Sequence, residues 1–250
     1  MGVAVAIAFL GGLIAGSFVT VVAHRVPRGE SIVGPRSRCP GCGAQIAAYD
    51  NVPVVSWMLL RGRARCCGAS ISARYPLTEL CLGSLYAATA AVLWDDGGEI
   101  TLGLVFVTML VAVTLTDLER RIIPNRILFV AATLAVAIAA VSDPGSLPER
   151  AIAAAAAGGL LFAAALAYPR GMGLGDVKLA ATMGLFLGRE VAPAILVALL
   201  AGSLVGLAMI ARHGAAARKR AIPFGPFLAF GGIVGLLAGE ELIDWYLGTF

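Results

Sequence analysis

The chain has 250 residues, 59% of them hydrophobic and only 14% charged, with a mean hydropathy of +0.89. An ordinary soluble domain is about half apolar and about a quarter charged, so a water-soluble enzyme and a disordered or fibrous chain are both excluded. The net charge is a modest +4, no nucleic-acid partner is expected, and the chain reads as an all-α polytopic membrane protein.

Apolar stretches of about 20 residues, enough to cross a ~30 Å hydrocarbon core, fall at 2–24, 76–94, 99–118, 125–142, 150–168, 172–188, 191–211 and 224–247. The pattern predicts eight transmembrane helices with one large insertion. Residues 1–24 form the first helix, 25–75 a cysteine-containing loop domain, and 76–250 a seven-helix membrane domain. The first stretch is expected to be a retained anchor, because its positive charges follow the apolar run whereas a signal peptide has them before it. The weakest span is 172–188, which holds Gly173, Gly175, Asp176 and Lys178. Fusing it with 191–211 as a re-entrant hairpin would place the Arg212–Arg220 cluster outside.

With alternating spans, the links 25–75, 119–126, 169–178 and 212–223 hold 17 of the 19 Lys and Arg residues. The other links keep only Arg150 and Arg189, together with most of the acids. Basic residues are retained on the cytoplasmic side. Both termini are therefore expected outside, with the large loop in the cytoplasm.

In that loop lie Cys39, Cys42, Cys66 and Cys67. Cytoplasmic thiols stay reduced, so disulfides are a poor reading. Cys39-Pro40-Gly41-Cys42 has the spacing of a metal-binding knuckle, and a tetrahedral site needs a second pair. Cys66 and Cys67 are adjacent, and neighbouring cysteines are not expected to face one ion without backbone strain. Metal binding by Cys39, Cys42 and Cys67, with Cys66 as the fourth candidate, stands beside reduced thiols in a loop that folds by other means. Cys81 reads as an apolar packing residue.

Ionisable groups at membrane depth are costly and mark functional sites. Asp117 lies at the end of the third span, before Ile123-Pro124-Asn125, and Asp176 closes Gly171-Met172-Gly173-Leu174-Gly175-Asp176. Both fall at the same membrane face. Two carboxylates on different helices suit aspartyl hydrolysis, one ionised to activate water and one protonated to polarise the carbonyl. An interfacial acid paired with Arg120 or Arg121, and a glycine-rich packing surface, are the competing readings.

These residues, with others in order along the chain, resemble the type IV prepilin peptidases. Gly16-Ser17-Phe18, Arg25-Val26-Pro27, the Cys39 knuckle, Asn51-Val52-Pro53, Ser56-Trp57, Arg61-Gly62, Arg74-Tyr75-Pro76 with Glu79, and Ile222-Pro223-Phe224-Gly225-Pro226-Phe227 all fall in family order. Asp117 is similar to the family's first catalytic aspartate. Asp176, with Gly173, Gly175 and Lys178 supporting the motif, is similar to the second. The resemblance implies an eight-span aspartyl endopeptidase of the inner membrane with a cytoplasmic active site. Its members cleave the basic leader of prepilins or type II secretion pseudopilins, and many N-methylate the new N-terminus with S-adenosylmethionine. The chain departs from the family at the second knuckle, where Ala64 and Cys67 occupy the register of the usual cysteine pair, so a four-cysteine zinc site is not expected in its usual form.

The loop's eight arginines face only Glu30 and Asp50. They read as topology signals and contacts to anionic membrane lipids, and they would repel a basic leader. Glu79 and Glu119 are then the acids expected to attract it. A peptidase without methyltransferase activity, and a non-enzymatic transporter or assembly scaffold, are the alternative functions. Against transport, no Gly-rich break in the first half mirrors 171–176.

Overall fold

The computed structural model describes residues 1–169, 172–214 and 222–249. The protein is 77% helix without strands among the described residues. Gly171 and the basic cluster Arg218–Arg220 singled out by the sequence lie outside them. The chain divides into two compact units, Met1–Trp94 and Asp95–Phe250.

In the first unit α1 (Gly2–Arg25) and α3 (Arg74–Val92) pack antiparallel. Gly16 lets the two backbones touch, since a Cβ there would lie 2.6 Å from Glu79 Cα. The sequence pattern groups α3 with the C-terminal helices, but its partner is α1. Between them the loop carries the short helix α2 (Val55–Leu59). Two of its arginines act inside the fold. Arg25 donates to the carbonyls of Ser31 and Pro35 at 2.9 and 2.7 Å. Arg65 pairs with Asp50 at 2.9 Å and stacks over Tyr49. Hydrogen bonding to Asp50 raises the Arg65 pKa further.

The second unit holds α4 (Gly97–Arg120), α5 (Asn125–Ser142), α6 (Leu147–Ala167), α7 (Leu174–Leu187), α8 (Val191–His213) and α9 (Gly225–Leu247). Asp96 starts α4 by accepting the N–H groups of Gly98 and Glu99 at 2.7 and 3.0 Å, which satisfies donors that lack a partner within the helix. Phe106 of α4 stacks on Phe186 of α7 with ring centroids 5.0 Å apart. Small residues let the helices close on one another: Gly184 meets Ala154, Gly158 meets Ala181, and Gly231 meets Ala194. The first two pairings make α7 antiparallel to α6; Gly231 on Ala198 with Gly235 on Glu190, and Gly225 on Asp117 with Gly232 on Leu110, make α9 antiparallel to α8 and to α4. Many large apolar side chains, Ile152, Leu160, Leu200 and Leu204 among them, point outward, as lipid-facing surfaces must.

Eight of the helices coincide with the eight apolar stretches, but among the described residues six segments are long and apolar enough to cross a membrane. The helix α3 is not among them, and α7 and α8 count together as one segment of 40 residues. With 14 residues, α7 is about 21 Å long and cannot cross a ~30 Å core alone. It stops at Gly188, whose φ of +57° turns the chain back into α8.

Candidate active site

Asp117 lies in the last turn of α4. Arg121, in the left-handed conformation at φ 55°, closes that helix by donating to the Asp117 carbonyl at 2.8 Å, and Pro124 then starts α5. The carboxyl group is thereby set at a helix end and is buried, the residue being 6% exposed. Its Oδ2 accepts the Gly225 N–H at 2.9 Å, across 108 residues of sequence.

Asp176 lies in the first turn of α7, whose N-cap is the extended Gly173. Asp176 Oδ2 accepts the Gly173 N–H at 3.2 Å, and the Asp176 N–H donates to the Gly173 carbonyl at 3.1 Å. Gly175 lies flat against the α4–α5 turn: a Cβ there would be 3.1 Å from Ile123 Cβ. This close approach draws the start of α7 toward Asp117. Both carboxylates are buried and sit at helix ends: Asp117 ends α4, and Asp176 begins the helix whose Gly175 packs on Ile123, six residues beyond Asp117.

Lys178 donates to Asn125 Oδ1 at 3.1 Å, tying α7 to the start of α5. Glu119 is exposed and, two residues beyond Asp117, points about 200° away around the helix. Gly225 is the member of the site that sequence reasoning passed over, as one letter of the C-terminal motif. Its signal was there: a glycine followed by Pro226 at the opening of an apolar helix.

In the first unit the loop brings Cys39, Cys42, Cys66 and Cys67 together, all four sulfurs within 4.8 Å of one another. Two matching turns build the cluster. Gly43 N–H donates to the Cys39 carbonyl and Gly68 N–H to the Ala64 carbonyl, each at 2.8 Å. Gly43 and Gly68 have φ of +72° and +71°. Ala64 thus occupies the place of Cys39 in the second turn, and the sulfur of Cys66 fills the gap. The expected obstacle to adjacent cysteines is corrected: the tight turn sets Cys66 and Cys67 Sγ 3.9 Å apart without a left-handed residue at either. Backbone N–H groups of Gly41 and Cys42 lower the Cys39 thiol to about 7. Hydrogen bonding to Cys42 pushes Cys66 up to about 12.

Glu79 is buried in the same unit, where Oε2 accepts the Val54 N–H at 2.7 Å. The structure gives this carboxylate a task in holding the loop.

Two buried aspartates at helix ends, in a chain whose described residues include six segments long and apolar enough to cross a membrane, make a candidate paired-carboxylate site in a polytopic membrane protein. Residues 10–93 match the Bacterial Peptidase A24 N-terminal domain and residues 104–211 the Type IV leader peptidase family. The chain belongs to the type IV leader peptidase family. It is 34% identical to the prepilin leader peptidase/N-methyltransferase of Aeromonas hydrophila, covering 97% of this chain and 93% of that one. It is 35% identical to the protein of that name from Bacillus subtilis, over 96% and 97%. To the protein of the same name from Myxococcus xanthus it is 38% identical, over 83% of this chain and 64% of that one. No solved structure gives a significant match.

Proposed function

We propose that the protein is a membrane-embedded aspartyl endopeptidase that cleaves the basic leader of prepilins or pseudopilins and N-methylates the new N-terminal residue. The observation that carries the peptidase reading is the Asp117–Asp176 pair, each buried and each with one oxygen held by a glycine N–H. Such a pair shares one proton. The ionised member takes a proton from water as the water oxygen attacks the scissile carbonyl carbon, and the protonated member donates to the carbonyl oxygen. The tetrahedral intermediate then collapses. The peptide C–N bond breaks, and the proton taken from water passes to the leaving amine.

The pair sits at the end of the second unit that carries Arg120, Arg121, Arg126, Lys178 and Arg212, while Glu99, Glu149, Glu190 and Glu240 lie at the other end. By the retention of basic residues in the cytoplasm, this supports a cytoplasmic active site. The eight-arginine loop is read as cytoplasmic on the same ground. All eight long helices are then membrane-inserted, with α7 reaching only part of the way.

Zinc fits the loop. A tetrahedral zinc with ~2.3 Å bonds to sulfur separates its ligands by about 3.8 Å. The Cys39–Cys67, Cys42–Cys66 and Cys66–Cys67 sulfurs lie 3.6, 3.3 and 3.9 Å apart. Cys39, Cys42, Cys66 and Cys67 would hold it, and its chemistry there is structural, cross-linking the two turns. S-adenosylmethionine does not fit the neighbouring cavity of about 350 Å³. Pro35, Arg36, Arg38 and Gln45 line it and offer neither a carboxylate for ribose hydroxyls nor an aromatic face for adenine, so it is not a site for the methyl donor.

Mass spectrometry of a prepilin coexpressed with the protein tests the reading. The expected product lacks the leader and carries a methyl increment. With Asp117→Asn or Asp176→Asn the prepilin should stay uncut while the protein remains inserted. Substantial cleavage by either variant would remove that aspartate from the reaction.

A further inference from the structure

The segment Ile222–Phe227 has no task in the reaction just described, yet it delivers one backbone donor to the site. The first N–H groups of a helix have no partner one turn back. At the start of α9, Pro226 has no N–H to offer, while Phe227 and Leu228 donate to the Phe224 carbonyl at 3.0 and 3.1 Å. The Gly225 N–H is the one directed outside the segment, to Asp117 Oδ2 at 2.9 Å. The fit leaves no room for a side chain. A Cβ on residue 225 would stand 2.7 Å from that oxygen and 3.2 Å from the carboxyl carbon. The ring of Phe224, 3.3 Å from the place of a Cβ on Gly202, anchors this end of α9 against α8.

We infer that Gly225 is a positioning residue for peptide cleavage: its backbone N–H fixes the rotation of the Asp117 carboxyl group, holding Oδ2 so that Oδ1 is the oxygen presented to water. The inference rests on the reading of Asp117 as catalytic. A side-chain donor could swing with its own rotamers, whereas a backbone N–H inside a helix moves only with the helix. The carboxylate is thus oriented before substrate arrives.

Two measurements on the full chain in lipid nanodiscs test this. The first is kinetic. Gly225→Ala should lower kcat for leader cleavage about 100-fold, the scale of an ångström-sized misplacement of a reacting group, with KM unchanged. Gly231→Ala is the packing control, since its Cβ would meet the Ala194 carbonyl oxygen at 2.1 Å. It should lower the melting temperature without that selective fall in kcat. A Gly225→Ala enzyme with wild-type kcat, while Asp117→Asn is dead, overturns the inference and leaves the catalytic reading intact. Cleavage by Asp117→Asn would overturn that reading itself.

The second measurement needs no variant at Gly225. Gly225 and Gly231 are the only glycines that follow a phenylalanine, so carbonyl-¹³C phenylalanine with ¹⁵N glycine selects their two amide signals. Asp117→Ala should shift one of them strongly upfield in the proton dimension, as a charge-assisted hydrogen bond is lost. Asp176→Ala should move neither by a comparable amount. Two signals indifferent to Asp117→Ala would overturn the assignment, even if Gly225→Ala proved too unstable for kinetics.

Discussion

Glu79 Oε2 holds the N–H of Val54, a β-branched residue at φ 61° that opens α2. A left-handed valine is strained, and the carboxylate beneath it helps keep the loop in that shape. Glu79→Ala should leave a half-buried N–H without its acceptor and destabilise the protein by about 1 kcal/mol, the low end for a lost buried acceptor, read as a lower melting temperature. Any change in KM should then be the same for basic and neutral leaders; a rise confined to basic leaders would return Glu79 to substrate binding. The cysteines make a second case. If Cys66 stands in for the sulfur missing at Ala64, purified protein should carry about one zinc per chain, and Cys66→Ser should release it. Adding Ala64→Cys to Cys66→Ser should restore the metal, because residue 64 occupies the place that Cys39 has in the first turn. Metal retained by Cys66→Ser alone would refute this. The register of the two turns was legible in the spacing of Cys42-Gly43 and Cys67-Gly68. The placement of the Cys66 sulfur was not, since it depends on how tightly the Ala64–Gly68 turn curls.

Apolar runs located the long helices to within a few residues, because a helix in lipid must satisfy its own backbone and cover itself with apolar side chains. Length within a run is a different matter. The stretch 172–188 reads as a span, but α7 keeps only 14 of its residues before Gly188, at φ +57°, turns the chain into α8. Partner choice was equally hidden: Gly16 and Gly83 look like any membrane glycines until α1 and α3 are seen face to face. The proposed dyad reads in the sequence as two acids at one depth. The contact that brings them together, Gly175 against Ile123, joins residues 52 positions apart and leaves no local pattern. Gly175→Ala should push α7 off the α4–α5 turn and lower kcat. Ile123→Ala, which removes the side chain in the way, should recover part of the loss. Such coupling is the signature of neighbours, and simple additivity of the two effects in kinetic assays would argue against this account of the second motif glycine.

Across the molecule, the second unit keeps its reactive end and its bracing end apart. At the bracing end Arg150, 8% exposed, pairs with Glu99 and donates to the Phe186 carbonyl and to Ser146 Oγ. Three helices are thereby tied where no catalytic group lies. Arg150→Ala strips the charge from a pair whose acid is 36% exposed on its side chain, so the loss should fall near the lower end of the range for buried pairs, about 3 kcal/mol. Melting temperature and yield should drop while kcat of the folded fraction holds; a selective fall in kcat would mean that the far end communicates with the dyad. The shortness of α7 reaches beyond the protein itself. A helix of about 21 Å, enclosed by its neighbours beyond Lys178, leaves about 9 Å of a ~30 Å core beyond its ends, a gap for water or headgroups that a thicker bilayer deepens. Bilayer composition then becomes a control on turnover: lipids with short acyl chains should ease substrate entry, and long saturated chains should slow cleavage with no change in the protein's sequence.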